Sequence, residues 1–419
     1  MARKKFKFVE MFIDPSTGAP YEDTGSPKTI TPKFFPPFQG HQIAKIVYEE
    51  KTVIDIEYKV KDGKVTKGEE KKKTILIEKM GTKGGWIEQT SNLSQDGDCW
   101  VSDGGIVCGN GYVCDKVVLS SGEVGDNAKV GGEATISGAV GVGGNAYVYG
   151  NAKIGGSGRI AVSGTARVEG TVEGSAVVDG SAYVGEKAVV RGDAHVTGNA
   201  RIVSGVVEGS ATVTDAATVY GTVKDEATVA YEAVILKSGS VGGKAVVESG
   251  VVAGTVKDKA VIDYGQPFIA EGAVVGGEVK ISGNAFVQCE VTDDAEISMN
   301  GAALKGGSVA GGELTGNATL KTESKKGKIS GGALVAGSIS EGVEANGGVR
   351  IGEKGVAKSG TYGGSANVNG TSTAAMSGNA VLRNGASSKM ALSGNMVFKE
   401  EDENAEPGAA AVICKVEKE

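Results

Sequence analysis

The stretch that decides the fold runs from Ser175 to Ile202 and reads SAVVDGSAYVGEKAVVRGDAHVTGNARI. In it a branched aliphatic residue returns at every sixth position, at Val178, Val184, Val190, Val196 and Ile202. Alanine stands two positions before each of these residues, and glycine often stands two positions after them. The repeating unit is therefore aliphatic-x-Gly-x-Ala-x, and a short period sustained in this way is typical of a solenoid.

Strand geometry explains the six-residue unit. Alternate residues of a strand point to opposite faces, so the alanine and the aliphatic residue both point inward. The residue between them points outward and is mostly polar, as at Lys153, His195 and Arg201. The triplet Gly-Asn-Ala occurs six times, and glycine and asparagine both tolerate the positive φ of a tight corner. Three such faces predict a triangular coil whose inside is filled by valine, isoleucine and alanine.

The length of one coil follows from four shortened steps in the pattern. The aliphatic residue returns after four positions instead of six at Val172, Val223, Val256 and Val291. Their spacing predicts hexapeptide coils with about 17–18 positions each, and it predicts that the shortened faces stack on one side. The pattern extends from residue 99 to residue 398, and breaks in it at 235–243, 263–272, 298–307 and 323–331 predict loops.

The composition agrees with repetitive β structure and excludes other classes of protein. The 419 residues include 68 glycines and only 8 prolines, and aromatic residues make up 5%. So much glycine is incompatible with a mainly helical protein, and 40% hydrophobic residues exclude a disordered chain. The net charge of −7 argues against a protein that coats nucleic acid.

The first 98 residues differ from the repeats and contain six of the nine phenylalanines. Two runs of alternating residues at 52–60 and 73–79 predict a β-hairpin. We expect the charged stretch 64–72 between the two runs to be a solvated loop. The remaining candidates in this region are aromatic residues for docking to a partner or to the first coil, namely Phe34, Phe35 and Phe38.

The sequence predicts three parts of the chain. Residues 1–98 form an N-terminal capping and docking module, and residues 99–398 form the solenoid. Residues 399–419 form an acidic tail with a candidate terminal strand at 411–416. An open coil end presents unpaired N–H and C=O groups. We therefore expect the N-terminal module to cover the first coil and the tail to cover the last.

The start of the repeats resembles the corresponding region of YdcK-like proteins. In those proteins Gly-Gly-Trp, Leu-Ser and Gly-Asp/Asn-Cys-Trp precede Gly-Asn-Ala repeats. The matching residues here are Gly84, Gly85, Trp86, Leu93, Ser94, Gly97, Asp98, Cys99 and Trp100. With the repeats, the resemblance covers residues 73–398. It implies a single-stranded left-handed β-helix related to hexapeptide-repeat transferases, in a group of bacterial and phage proteins. From the residues alone we expect Trp86 and Trp100 to seal the first coil.

No residue pattern for catalysis stands out in the sequence. His195 is the one histidine within the repeats. Hexapeptide acyltransferases resemble one another in using a histidine on the outer wall at a trimer interface. If this protein were such an acyltransferase, His195 would be its catalytic residue. A general base needs an oriented partner, and the positions predicted one coil away, 177–178 and 212–213, carry no carboxylate. The two histidines and five cysteines lack metal-binding spacing, so we expect neither a metal site nor a cofactor.

These observations favour a non-enzymatic, rod-like scaffold associated with a phage particle or a cell surface. We expect its partner to be a protein bound by the N-terminal module, or a second copy of the chain. We expect no nucleic acid as a partner and no membrane insertion. The sequence shows no signal peptide and no apolar stretch long enough to cross a membrane, which predicts a protein of the cytoplasm or of a virion. The alternative is an acyltransferase acting as a homotrimer, and a third interpretation is an end-to-end polymer that forms filaments.

Overall fold

The computed structural model describes residues 4–8, 27–61 and 64–283, and after residue 283 the strands named below with residues 349, 358, 360 and 363–366. Contacts group the chain into two units, Met1–Gly180 and Ser181–Glu419. Both units are parallel β-solenoids, so the all-β solenoid predicted from the repeats is confirmed. Within the described residues the helical structure is one 3-10 turn, Thr90–Asn92.

In unit 1 the coils are built from short and long strands. The Tyr112 wall consists of Tyr112–Val113, Lys129–Val130, Tyr147–Val148 and Arg167–Val168. The other walls consist of Trp100–Val107, Val118–Val124, Thr135–Val142, Lys153–Val162, Thr171–Glu173 and Val177–Val178. A long strand serves two faces, because it carries two buried aliphatic residues such as Val101 and Val107.

In unit 2 the coils form three walls, each named here after its first residue. The Tyr183 wall consists of Tyr183–Val184, Arg201–Ile202, Thr218–Val219, Val234–Ile235, Val251–Val252, Phe268–Ile269, Phe286–Val287, Ala303–Lys305, Thr319–Lys321, Ser338–Ile339, Val356–Ala357, Thr371–Ser372 and Ser387–Ser388. The Val189 wall consists of Val189–Val190, Val206–Val207, Thr222–Val223, Ser240–Val241, Thr255–Val256, Val274–Val275, Glu290–Thr292, Gly307–Ala310, Gly327–Ser330, Glu344–Ala345 and Thr361–Tyr362. The His195 wall consists of His195–Val196, Thr212–Val213, Thr228–Val229, Val246–Val247, Val261–Gly265, Lys280–Gly283, Glu296–Met299 and Glu313–Thr315.

A six-stranded sheet completes unit 2. Its strands are Leu334–Val335, Arg350–Ile351, Asn367–Val368, Val381–Leu382, Met396–Phe398 and Glu417–Lys418. The last of them pairs antiparallel with Met396–Phe398 and covers its edge. A terminal strand in the tail is thus present, whereas the position predicted for it, 411–416, lies outside the described residues.

The inward residues predicted from the period form the core of the coils. Val184, Val190 and Val196 each have 0% of their surface exposed. The residue before each of them is half-buried and points outward. The alternation of inward and outward positions in the repeat is therefore the one that strand geometry predicts.

The pairing of strands gives the length of a coil directly. On the Tyr183 wall, Tyr183 lies opposite Arg201, and Arg201 lies opposite Thr218 in the following coil. These steps agree with the coil length predicted from the sequence. The shortened faces stack as predicted on the Val189 wall, where Val223, Val256 and Val291 all occur.

One of the four predicted loops is wrong, and two others, at 298–307 and 323–331, lie partly outside the described residues. Ile235 and Val241 are both fully buried and six positions apart, so the coil continues through 235–243 without a loop. The repeat is hard to see there because Gly239 occupies the inward position that alanine usually takes. At 263–272 the chain does depart from the six-residue pattern, since the strand Val261–Gly265 runs on and leaves Tyr264 64% exposed.

The corners of the coils are held by aspartate and asparagine side chains. Asp126 adopts a φ of 52°, and the N–H of Gly144 in the next coil donates to its carboxylate at 2.8 Å. At the equivalent corner the N–H of Gly132 donates to Asp115 at 2.8 Å. This hydrogen bond holds the pKa of Asp115 below its usual value, so its contribution to stability is present above that value and is lost as the pH falls.

Two long strands, Phe38–Lys61 and Lys64–Ile87, pair antiparallel and form what we call the arm. The predicted hairpin is therefore present, but the stretch 64–72, which the sequence predicts as a loop, is strand. The prediction failed because a ribbon of two strands has no buried face, so its strands need no apolar alternation. The backbone ladder continues to the pair Lys61 and Lys64.

The root of the arm closes the first coil of unit 1. Trp86 and Ile87 pair in parallel with the end of the strand Trp100–Val107, and Leu93 forms a bridge to Val113. Two short strands flank the root, since Phe6–Phe8 and Lys28–Ile30 both pair antiparallel with the first strand of the arm. The strand edges at this end are therefore covered, which protects them from edge-to-edge association.

Candidate functional site

The segment 31–37, which we call the strap, crosses the wall of unit 1 and is anchored by one carboxylate. Glu123 is 5% exposed, and its two oxygens accept hydrogen bonds from consecutive backbone amides. The N–H of Lys33 donates at 2.6 Å and the N–H of Phe34 at 2.7 Å. Hydrogen bonds to an ionised acceptor are about twice as strong as neutral ones. Glu123 therefore determines where the strap lies along the solenoid.

Glycines form the seats for the two phenylalanines of the strap. The ring of Phe34 lies against Gly141, and the ring of Phe35 lies between Gly125 and Gly143. A Cβ atom at Gly125 would lie 2.7 Å from the ring of Phe35, and one at Gly143 would lie 2.9 Å from it. No larger residue fits at these positions unless the strap moves.

Arg159 covers the strap from the other side. Its guanidinium carbon lies 4.5 Å from the centre of the Phe34 ring, and its Nη2 donates to the carbonyl of Lys33 at 3.2 Å. Phe34 and Phe35 therefore dock on the wall of unit 1, but on the second and third coils and not on the first coil as predicted. Phe38 instead begins the arm and pairs with Ile30.

A cavity of about 360 Å³ adjoins the strap. It is lined by Thr31, Lys33, Phe34, Gly104, Ile106, Ser121, Gly122, Glu123, Gly138, Ala139 and Val140. Glu123 is its single carboxylate, and both oxygens of that carboxylate already accept hydrogen bonds from the strap. The arrangement therefore suits the binding of a peptide segment and does not leave Glu123 available as a general base.

The two histidines lie in different units. His195 points outward from unit 2 and is half-buried, and Thr212 lies opposite it in the following coil, as the spacing predicts. Its catalytic role in the alternative interpretation stays a prediction. His41 belongs to the arm and stacks on Phe8, with 4.2 Å between the ring centres.

The described cysteines are free thiols, and two of them have raised pKa values. Burial raises the pKa of Cys108 to about 12, and nearby carboxylates add to the effect. Burial, followed by a hydrogen bond to the carboxylate of Asp115, raises the pKa of Cys114 to about 11. Among the residues that the structure describes, no three His, Cys, Asp or Glu side chains lie close enough together to hold a metal ion.

We expect Cys114 to react slowly with iodoacetamide at pH 8, because only the thiolate is nucleophilic. A shift of the pKa from 9.0 to about 11 lowers the thiolate fraction roughly 100-fold. Labelling followed residue by residue by mass spectrometry should show this rate difference between the native and the urea-unfolded protein. Equal rates in the two states would contradict the raised pKa of Cys114.

Unit 2 carries a surface that the sequence did not reveal. The outward side chains on the Tyr183 wall form what we call the apolar face, which consists of Val203, Tyr220, Val234, Leu236, Val251 and Phe268. Tyr220 is 38% exposed, and the other five are half-buried. The two neighbouring walls differ from the apolar face because both carry charged outward side chains. These are Arg191 and Lys224 on the Val189 wall, and Glu248 and Lys280 on the His195 wall.

Sequence reasoning also missed Glu123 and Arg159. Both occupy outward positions, and Glu123 is buried only because the strap covers it. A signal was nevertheless present in the outward glycines, since Gly141 and Gly143 flank the inward residue Val142. A wall that carries glycine at outward positions leaves room for another segment to lie on it.

Comparison with known proteins agrees with a solenoid. The family of bactofilins, described as polymer-forming cytoskeletal proteins, matches residues 150–245, which is under a quarter of the chain. No curated protein matches this sequence. Across the described residues, no helix is long and apolar enough to span a membrane.

Proposed function

We propose that this protein is a non-enzymatic structural scaffold that assembles into polymers. The observation that carries the proposal is the similarity of residues 150–245 to a family described as polymer-forming and cytoskeletal. That range contains the most regular coils, whose inward positions are filled by small aliphatic residues and alanine. Such coils offer long, flat walls for contacts between copies and few groups suited to chemistry.

The covered strand edges influence how the polymer can form. In unit 1 the root of the arm covers the first coil, and in unit 2 the strand Glu417–Lys418 covers the edge of Met396–Phe398. Pairing of copies through these edges would require the covering strands to leave. Contacts between walls need no such rearrangement, and we therefore favour walls as the assembly surfaces.

The N-terminal module is the second functional element of the proposal. We infer that residues 1–98, ahead of a solenoid at 99–398 and a tail at 399–419, present a docking surface to a protein partner. The arm supports this inference, because Val47 is 50% exposed, Ile54 is 54% exposed and Leu76 is 48% exposed. Membership of the YdcK-like group, the left hand of the coils, and association with a virion or a cell surface stay predictions.

Polymer formation can be tested with the purified full-length protein. We expect sedimentation and negative-stain electron microscopy to show elongated polymers whose amount grows with protein concentration. A monodisperse monomer over the whole accessible concentration range would overturn the proposal. The acyltransferase alternative makes the opposite prediction, namely a closed trimer with acetyl-CoA-dependent transfer that is lost in His195→Ala.

A further inference from the structure

We propose that the apolar face of unit 2 is the surface through which two polymers of this protein associate side by side. The occupant of the face is the apolar face of a second copy. This inference rests on the proposed polymer, and it adds the surface that joins one polymer to the next. It concerns the residues of the Tyr183 wall between Arg201 and Ala270.

The apolar face is a regular array of two columns. Val234, Val251 and Phe268 stack in one column, each opposite the next in the backbone register, and Thr218 precedes them at its margin. The second column contains Val203, Tyr220 and Leu236, and it continues with the nearly buried Ala253 and Ala270. Neighbouring coils are about 4.8 Å apart, so the side chains of a column form a continuous apolar ridge.

Charge distinguishes this wall from the other two walls of unit 2. Between Arg201 and Ala270 the outward positions of the Tyr183 wall carry no carboxylate, and Arg201 is their single cation. Its guanidinium carbon lies 5.2 Å from the centre of the Tyr183 ring, so Arg201 makes a cation–π contact at the margin of the face. In contrast, Arg191 and Glu208 form an ion pair on the Val189 wall. A charged partner would therefore find no complementary group on the apolar face.

A second copy of the chain fits the face better than an unrelated surface. The side chains along each ridge repeat at the spacing of the coils, and another solenoid presents side chains with the same spacing. Rotation of a second copy by a half turn about an axis that lies in the plane between the two faces brings the same residues together, as in an isologous interface. The match to a family described as polymer-forming includes the first part of this face, up to residue 245.

The size of the face explains why it would join polymers and not isolated subunits. Five coils spaced about 4.8 Å apart, each presenting about 10 Å of strand length, give an area on the order of 200–300 Å² per copy. A stable pair of proteins buries about 800 Å² per partner, so a single contact of this size is weak. Along a polymer many such contacts act together, and multivalency makes the association strong.

Two lysine substitutions in the full-length protein test the inference. Val251→Lys places a charge within the apolar face, and the matched control Val246→Lys places the same charge on the His195 wall. Both valines are half-buried outward residues of two-residue strands. We expect both variants to unfold at the same temperature as the natural protein and to form polymers.

Electron microscopy and light scattering then separate the two variants. We expect the natural protein and Val246→Lys to form bundles, and Val251→Lys to form single polymers with roughly tenfold less scattering, because an unpaired charge is costly in an apolar contact. Equal bundling of all three proteins, or single polymers from all three, would overturn the inference and leave the proposed function intact. Absence of polymers from the natural protein would overturn both. Flotation with phosphatidylcholine vesicles that is lost only in Val251→Lys, without bundles, would overturn the inference and assign the face to lipid instead.

Discussion

Replacement of Val190 by aspartate should disrupt unit 2 more than any surface substitution. Val190 is fully buried inside the coil, where a carboxylate would lose its water without gaining a partner. A buried unpaired charge is among the few changes expected to cost more than about 4 kcal/mol. We expect the midpoint of urea unfolding, followed by circular dichroism, to fall sharply or the protein to be recovered unfolded.

The preceding residue provides the matched control. Val189 belongs to the same two-residue strand, but its side chain points outward and is half-buried. We expect Val189→Asp to change the unfolding midpoint little, since surface substitutions usually stay within about 0.5 kcal/mol. Val190→Ala keeps the test informative if the aspartate variant does not fold, with an expected loss of about 1–3 kcal/mol. Similar losses at positions 189 and 190 would contradict the alternation of inward and outward residues.

The second large effect is expected at the anchor of the strap. Glu123→Ala removes both acceptors for the N–H groups of Lys33 and Phe34. Loss of two hydrogen bonds to an ionised group should lower the free energy of opening the strap by about 2–3 kcal/mol. The strap should therefore open about 30- to 150-fold more often. Trypsin cleaves after Lys33 only when the strap is open, and the rate of that cleavage should rise by the same factor.

Two further variants control this experiment. Glu133→Ala removes an exposed carboxylate of the same unit, which pairs with Lys116 and does not touch the strap. We expect it to leave the cleavage after Lys33 unchanged. Glu123→Gln keeps one side-chain oxygen and should give an intermediate rate. If Glu123→Ala cleaves no faster than the natural protein, then the aromatic seats and Arg159 hold the strap without the carboxylate.

The coils could be predicted from the sequence because the inward residue of every coil packs in the same kind of buried environment. Val184, Val190 and Val196 face identical surroundings, so a period of six positions is visible without any alignment. The pattern weakens where glycine replaces the inward alanine, as at Gly239, because glycine also marks corners and loops. The predicted loop at 235–243 failed for that reason.

The strap and the apolar face could not be predicted in the same way. The burial of Glu123 depends on residues 33 and 34, which lie far earlier in the chain. No local pattern encodes such a pair. The apolar face arises from outward positions in successive coils, such as Val234 and Val251, which become recognisable as neighbours only when the exact length of each coil is known.

The arrangement in which each coil bonds only to its neighbours has a consequence for the evolution of this chain. Within unit 2, the strands of one coil pair with the strands of the coil before it and of the coil after it. Duplication or deletion of one whole coil of unit 2 would preserve the backbone pairing of the remaining coils. A deletion of a single residue would instead exchange inside and outside for the rest of that strand. Selection can therefore lengthen or shorten the scaffold in steps of one turn while it keeps the same surface chemistry.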